Sequence, residues 1–237
     1  MDAYNTIFHG WQSLYHRRRF VWIVNKLSPY DLSVMRIIEL GCFDAKLLDM
    51  LPQKPGYYLG LDAGYENAVL AAAESCRGND RIDIRLSTRP EDIPDERFDF
   101  GVAMETFEHI RPDLVEAYIA RLAQVVGREL FVTIPVERGL PFLIATSIRL
   151  INSDLKKHTP AEFWNSLRGR PDLVDRDEHK GFDDRGFVDS LSRYFEIQSI
   201  ESLFGPSWLG LNLGLAIAAV PRAEVLPECV IPGGLAE

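Results

Sequence analysis

The chain has 237 residues, 46% of them hydrophobic and 26% charged, with a formal net charge of −9, so it can bury one sizeable core and is neither disorder-prone nor fibrous. The acidic balance argues against general nucleic-acid binding, and three scattered cysteines, Cys42, Cys76 and Cys229, make no disulfide framework or close-spaced zinc motif. No apolar run is long enough to span a bilayer and the first twenty residues do not read as a signal peptide, so a cytoplasmic protein without a transmembrane segment is expected.

Residues 2–27 carry aromatic and aliphatic side chains at mixed helical spacing, among them Tyr4, Phe8, Trp11, Phe20, Ile23 and Leu27. One or two helices are expected there, ending before Pro29, within a helical N-terminal extension over 1–33. His16, Arg17, Arg18 and Arg19 form the strongest basic run. It reads either as a solvated helix face or as a contact for a phosphate, an acidic acceptor or an anionic membrane surface.

Residues 36–62 organise the rest. Arg36 to Leu40 is a short apolar-rich run ending at Gly41, Leu47, Leu48 and Leu51 begin a helical stripe, and Tyr57 to Leu61 makes a second strand ending at Asp62. A strand entering a helix through a glycine turn, then a strand ending in an acid, is what a parallel nucleotide-binding half requires. Asp62 lies 21 residues beyond Gly41, the spacing at which such an acid reaches a ribose.

The turn is not a dinucleotide GxGxxG. Its order, Glu39-Leu40-Gly41-Cys42-Phe43-Asp44-Ala45, resembles the first motif of class I S-adenosylmethionine-dependent methyltransferases, an acidic-x-Gly-x-Gly-x-Gly pattern. The resemblance implies that the loop passes under the methionine part of the cofactor, that Glu39 supports the loop or the ligand amine, and that Asp62 holds the ribose. Phe43 and Ala45 stand where the family usually has glycine, which reaches positive φ without a Cβ clash.

Further along, Ala68 to Ala73 favours a helix, Ile82, Ile84 and Leu86 alternate as a third strand, and Ser87 to Pro90 is rich in turn formers. Phe98 to Met104 makes the fourth strand, and FDFGVAMETFEHI over 98–110 looks like the family's fourth motif, where a strand leads to the active-site mouth. Pro112 starts a helix with Leu114, Tyr118, Leu122 and Val125 on its apolar side, and 129–134 is the fifth strand. The rhythm then breaks. Residues 136–183 form an insertion with an apolar stretch at 139–151 and a short helix near 160–168, read either as a lid or acceptor platform or as a cover for a sheet face or subunit contact. A helix at 184–194, a sixth strand from Phe195 and a seventh over 211–219 follow, and 221–237 is an irregular tail.

The resemblance covers about 34–135 and 184–220 and implies an α/β, Rossmann-like, seven-stranded mixed sheet of order 3-2-1-4-5-7-6 in one domain over 1–237. Open parallel sheets place ligands beyond the carboxyl ends of their strands, which brings together Gly41 to Ala45, Asp62, Ser87 to Asp92 and Met104 to His109. Cofactor-binding candidates are Glu39, Gly41, Cys42, Phe43, Asp62, Glu91, Asp92 and Met104. Catalytic candidates are His109, Glu108 and His179, with His109 the first choice for a general base because an imidazole titrates near neutral pH. Lys180 could bind an anionic group and Gly181 allow a sharp turn. No metal is expected, since Glu105, Glu108 and His109 lack a zinc spacing.

The function so implied is S-adenosylmethionine-dependent methyl transfer, as O-methylation of a sugar, a glycolipid or a hydroxylated small molecule. Peripheral membrane contact and a homodimer are compatible with the basic run and the N-terminal helices, and nucleic acid is disfavoured. The alternative is a methyltransferase-like binding or assembly subunit without catalysis, which rests on Phe43 and Ala45.

Overall fold

The computed structural model describes residues 12–64, 67–151, 158–176, 180–205 and 212–224. Seven strands form one sheet: β1 (Arg36–Leu40), β2 (Tyr57–Asp62), β3 (Ile82–Leu86), β4 (Phe98–Met104), β5 (Val126–Pro135), β6 (Phe195–Ser202) and β7 (Gly214–Pro221). Their order is β3-β2-β1-β4-β5-β7-β6, as expected. β1 pairs in parallel with β2 and with β4, and β7 is antiparallel to both β5 and β6. The chain reverses its direction of sheet growth between β1 and β4, so the crevice beyond their carboxyl ends is the place for a ligand.

Helices cover both faces. One face carries α1 (Gln12–Leu27), α2 (Lys46–Met50) and α3 (Ala68–Ser75), packed through Ile23, Leu27, Leu47 and Val69 onto Ile37, Tyr58, Phe100 and Phe131. The other carries α4 (Pro112–Val125) and α7 (Asp184–Tyr194), whose Ile119, Leu122 and Leu191 pack on Ile38, Leu59 and Val132. Neighbouring strand residues go to opposite faces, as the pleat dictates, so Ile37 and Ile38 serve different cores. The insertion adds α5 (Gly139–Ile151) and α6 (Pro160–Leu167). Among the described residues, no helix is long and apolar enough to cross a membrane.

Three boundaries differ from the sequence reading. β5 begins at Val126 because α4 passes straight into it, with the Val126 amide still bonded to Leu122 O. β7 begins at Gly214, where the Asn212 side chain accepts the Gly214 amide at 3.3 Å and the Ser202 hydroxyl at 2.7 Å. Leu86 is 54% exposed rather than inward, since β3 is the sheet edge and Leu86 ends it. Residues 1–11, the end of the expected tail (225–237) and His179 lie outside the described residues.

The insertion is held by ion pairs that its sequence reads as surface charge. Arg138 donates to both carboxylate oxygens of Asp184, at 2.6 and 2.8 Å, and Asp184 is 1% exposed. Glu162 completes a capping box with Thr159, accepts the Asp175 amide at 3.3 Å and pairs with Lys180 at 2.8 Å. Lys180 is therefore an internal strut rather than an open anion binder, and it holds the Glu162 carboxyl down to about 2. Gly181 does make the sharp turn: it has φ 71°, and a Cβ there would meet Val174 O at 2.9 Å.

Candidate active site

The loop after β1 has the backbone of a glycine-rich turn without the glycines. Gly41, Phe43 and Ala45 stand at φ 76°, 50° and 57°. Left-handed backbone costs a residue with a Cβ about 1–2 kcal/mol, so Phe43 and Ala45 hold this path against their own preference. Three bonds fix it. The Gly41 amide donates to Leu61 O at 2.7 Å, the Ala45 amide to Cys42 O at 2.7 Å, and the Phe43 amide to Asp62 Oδ2 at 2.9 Å. Gly41 is obligatory for a second reason: a Cβ there would collide with Thr106, whose hydroxyl donates to Leu40 O at 3.0 Å.

Glu39 lies beneath this loop, 2% exposed, and its carboxylate accepts the Tyr58 hydroxyl. Burial pushes Glu39 up to about 8, with the Tyr58 hydrogen bond pulling the other way. It stands at the carboxyl end of β1, two residues before Gly41, where it underpins the loop. Cys42 is 4% exposed and packs on Gly60, where a Cβ would come within 2.8 Å of its sulfur. Burial first, and the Glu39 charge second, drive its thiol up, which makes it a filler rather than a nucleophile.

Asp62 is the half-buried acid at the end of β2, and its second oxygen accepts the Gly64 amide at 2.9 Å. Beyond β3, the Ser87 amide donates to Asp62 O at 2.8 Å, which brings the third strand's loop to the same crevice. Asp92 is spent within that loop, accepting the Thr88 and Arg89 amides at 2.9 and 3.0 Å, and Glu91 is exposed. Leu86, paired in register with Asp62 across β2 and β3, is an exposed apolar side chain bordering Gly64.

At the crevice's other side Met104 ends β4, 7% exposed, and a 3-10 turn over Phe107–His109 follows. Phe107 is fully buried against Phe187, with ring centroids 4.8 Å apart. That anchor turns Glu108 inward, 1% exposed, and leaves His109 exposed. Burial first, and Glu105 second, hold the Glu108 carboxyl well above the usual carboxylate range, against Arg19 and Arg176. Arg176 of the insertion donates to Glu108 O at 2.8 Å.

Within the basic run, the sequence did not set Arg19 apart from its neighbours. The basic run is not uniformly a wet face: Arg17 and Arg18 are exposed, whereas Arg19 is 9% exposed and pairs with Glu105. Arg18 donates to Leu203 O at 3.3 Å and lies over the Phe204 ring at 4.6 Å. The Arg18–Arg19 part of α1 thereby reaches residues that follow β4 and β6, while the rest of the helix packs on the sheet face. Two surface hollows, of about 410 and 370 Å³, lie elsewhere, one beside Cys76 and Ile82 and one between α4, α7 and the insertion. Both are open, and neither is lined by Gly41, Asp62 or Met104.

No protein-family model matches the chain. A magnesium protoporphyrin IX methyltransferase from Synechocystis PCC 6803, crystallised with S-adenosylhomocysteine, superposes with a TM-score of 0.59 over 92% of this chain and 93% of that one, at 15% identity. The chain has the class I methyltransferase fold. The N-methyltransferase NodS from Bradyrhizobium japonicum shares this fold at a TM-score of 0.54 and 14% identity, over 88% of this chain and 97% of that one. In sequence, a ubiquinone biosynthesis O-methyltransferase from Bradyrhizobium sp. (strain ORS 278) is 33% identical over 102 residues, 43% of this chain and 40% of the relative. One from Rhodopseudomonas palustris (strain BisB5) is 30% identical over the same shares. The chain thus spans about 40% of the length of these curated relatives. In this fold, the 41–45 loop, Asp62 and Met104 lie at the carboxyl ends of β1, β2 and β4, and the turn over Phe107–His109 follows β4 at the same end of the sheet.

Proposed function

We propose that the chain transfers a methyl group from S-adenosylmethionine to a hydroxyl oxygen of a small molecule. The observation that carries this reading is the loop at 41–45, which takes left-handed backbone at alternate positions although two of them are not glycine. Such strain is retained where the path itself is needed, here for close backbone approach to a ligand beside Asp62. The same observation weighs against a noncatalytic subunit, whose ground was the loss of those two glycines.

The residues fit an adenosyl group. Asp62, whose oxygens hold the Phe43 and Gly64 amides, would accept ribose hydroxyls, and the exposed Leu86 would offer an apolar face for a base. S-adenosylmethionine, when bound, supplies an electrophilic methyl on a charged sulfur, which departs as a neutral thioether. The protein's part is to align an acceptor with that methyl and to take the acceptor's proton. Oxygen transfer is favoured by the curated relatives, each called an O-methyltransferase. A sugar, a glycolipid or a hydroxylated arene all carry the group required.

The test is calorimetry with S-adenosylmethionine and S-adenosylhomocysteine, followed by a panel of hydroxyl, amine and carboxylate acceptors with products located by mass spectrometry. Methylated oxygen is expected. Exclusive N-methylation would reject the oxygen assignment.

A further inference from the structure

A buried charged cluster lies beyond the cofactor loop. Arg19 of α1 and Glu105 have side chains 11% and 9% exposed and pair with each other. Taking an ion pair out of water costs more than packing hydrophobic residues of similar volume, so stability alone does not account for it. Glu105 directly follows β4 and stands at φ 48°, a left-handed backbone of the kind that collects at functional sites in residues other than glycine. Its amide donates to Thr133 O at 2.8 Å, which sets it between the ends of β4 and β5. The Thr133 hydroxyl is buried at that strand end with no hydrogen-bond partner among the described residues. Thr106, the next residue, is bonded to Leu40 O, so the pair stands beside the exit of β1, where the cofactor loop starts.

We propose that Glu105 accepts the proton of the acceptor's hydroxyl and that Arg19 is its positioning residue, holding the carboxylate through their ion pair. This rests on the methyl-transfer reading above. The hydroxyl donates a hydrogen bond to Glu105. As the oxygen–methyl bond forms and the methyl–sulfur bond breaks, the proton passes to the carboxylate and the electron pair of the broken bond stays on sulfur. Glutamic acid returns the proton to water after product leaves. Among the described residues, the charged groups next to Glu105 include Arg19 from α1 and Glu108 from the same turn, with Arg176 of the insertion acting on Glu108. In this proposal the base is Glu105 rather than His109, which is exposed at the end of the turn.

The experiment uses the full chain with 3,4-dihydroxybenzoate as probe acceptor and the variants E105Q, R19M, R19K and R19M/E105Q. Rates are read across pH, S-adenosylhomocysteine affinity by calorimetry, and probe affinity for the S-adenosylhomocysteine complex in the same instrument. E105Q and R19M are each expected to lower kcat roughly 100-fold, the scale of a lost proton acceptor. S-adenosylhomocysteine affinity should stay within about threefold, probe affinity should fall about tenfold, and the double variant should be no worse than E105Q, as groups acting as one unit behave. R19K should recover part of the rate, and E105Q should flatten the acid limb of the kcat profile. Full kcat in E105Q, losses that multiply in the double variant, or cofactor affinity falling in step with rate would overturn the assignment. A wild-type protein that binds no S-adenosylhomocysteine overturns the methyl-transfer reading itself, and one that binds it but methylates neither this probe nor any other hydroxyl acceptor overturns both.

Discussion

One carboxylate closes two turns: Asp62 accepts the Phe43 amide on Oδ2 and the Gly64 amide on Oδ1, both at 2.9 Å. The loop after β1 and the turn after β2 are therefore set by the same side chain that the proposed function assigns to a ribose.

Asp62→Ala is expected to lose stability and cofactor affinity together. Two hydrogen bonds to a charged acceptor contribute about 1.5–3 kcal/mol each at most, and S-adenosylhomocysteine affinity should fall at least about tenfold. Asp62→Asn, which keeps one acceptor oxygen, should lose less. Urea unfolding and calorimetry on the same samples check both, and unchanged affinity in the alanine variant would remove Asp62 from the site.

Ala45→Gly separates backbone strain from side-chain need. Ala45 is at φ 57° and 6% exposed. Relief of the left-handed penalty, about 1–2 kcal/mol, exceeds the added freedom of the unfolded chain, about 0.4–1 kcal/mol. The variant should unfold at higher urea, and a loss of stability would show that the Ala45 methyl packs better than its backbone suffers.

Glu39 makes stability depend on pH. Its folded value, raised to about 8 from an ordinary 4.5, means that between those values the folded chain holds a proton that the unfolded chain has released. Stability from this site is complete below the ordinary value, falls as pH rises through 8 and levels off above it. Glu39→Gln removes that dependence, so its stability relative to wild type should improve between about pH 5 and about pH 8, by on the order of a few kcal/mol. Urea unfolding at both values reads it out. A pH-independent difference would place Glu39 in a solvated setting.

Arg138→Ala leaves the Asp184 carboxylate buried without its guanidinium. Breaking a buried pair from one side costs about 3–5 kcal/mol, and Arg138 is partly exposed, so the lower figure is expected. Thermal unfolding measures it, and limited proteolysis should cut the insertion faster. Replacing both residues with apolar ones should recover much of the loss.

The sheet was legible because its signals are local. An apolar run, a glycine and an acid 21 residues on define β1, its loop and β2, and the resemblance supplied the strand order. What was hidden depends on distant partners. Arg19 and Glu105 are 86 residues apart, and a basic run on a helix does not disclose which of its members turns inward. Lys180 reads as open charge until Glu162 is seen beside it. The sequence shows that Phe43 and Ala45 are not glycine but not that they keep positive φ, which follows from Asp62 and Cys42 O holding their amides. Leu86 fits the period of a strand but ends at the sheet edge, where alternation no longer implies burial.

The most direct measurement is calorimetric titration of the wild-type chain with S-adenosylhomocysteine, with Gly41→Ala as its partner. One-to-one binding with a dissociation constant below about 1 mM is expected for wild type. The variant, whose new Cβ meets Thr106 at φ 76°, should bind none. Well-folded wild-type protein that gives no heat with either form of the cofactor would contradict the account.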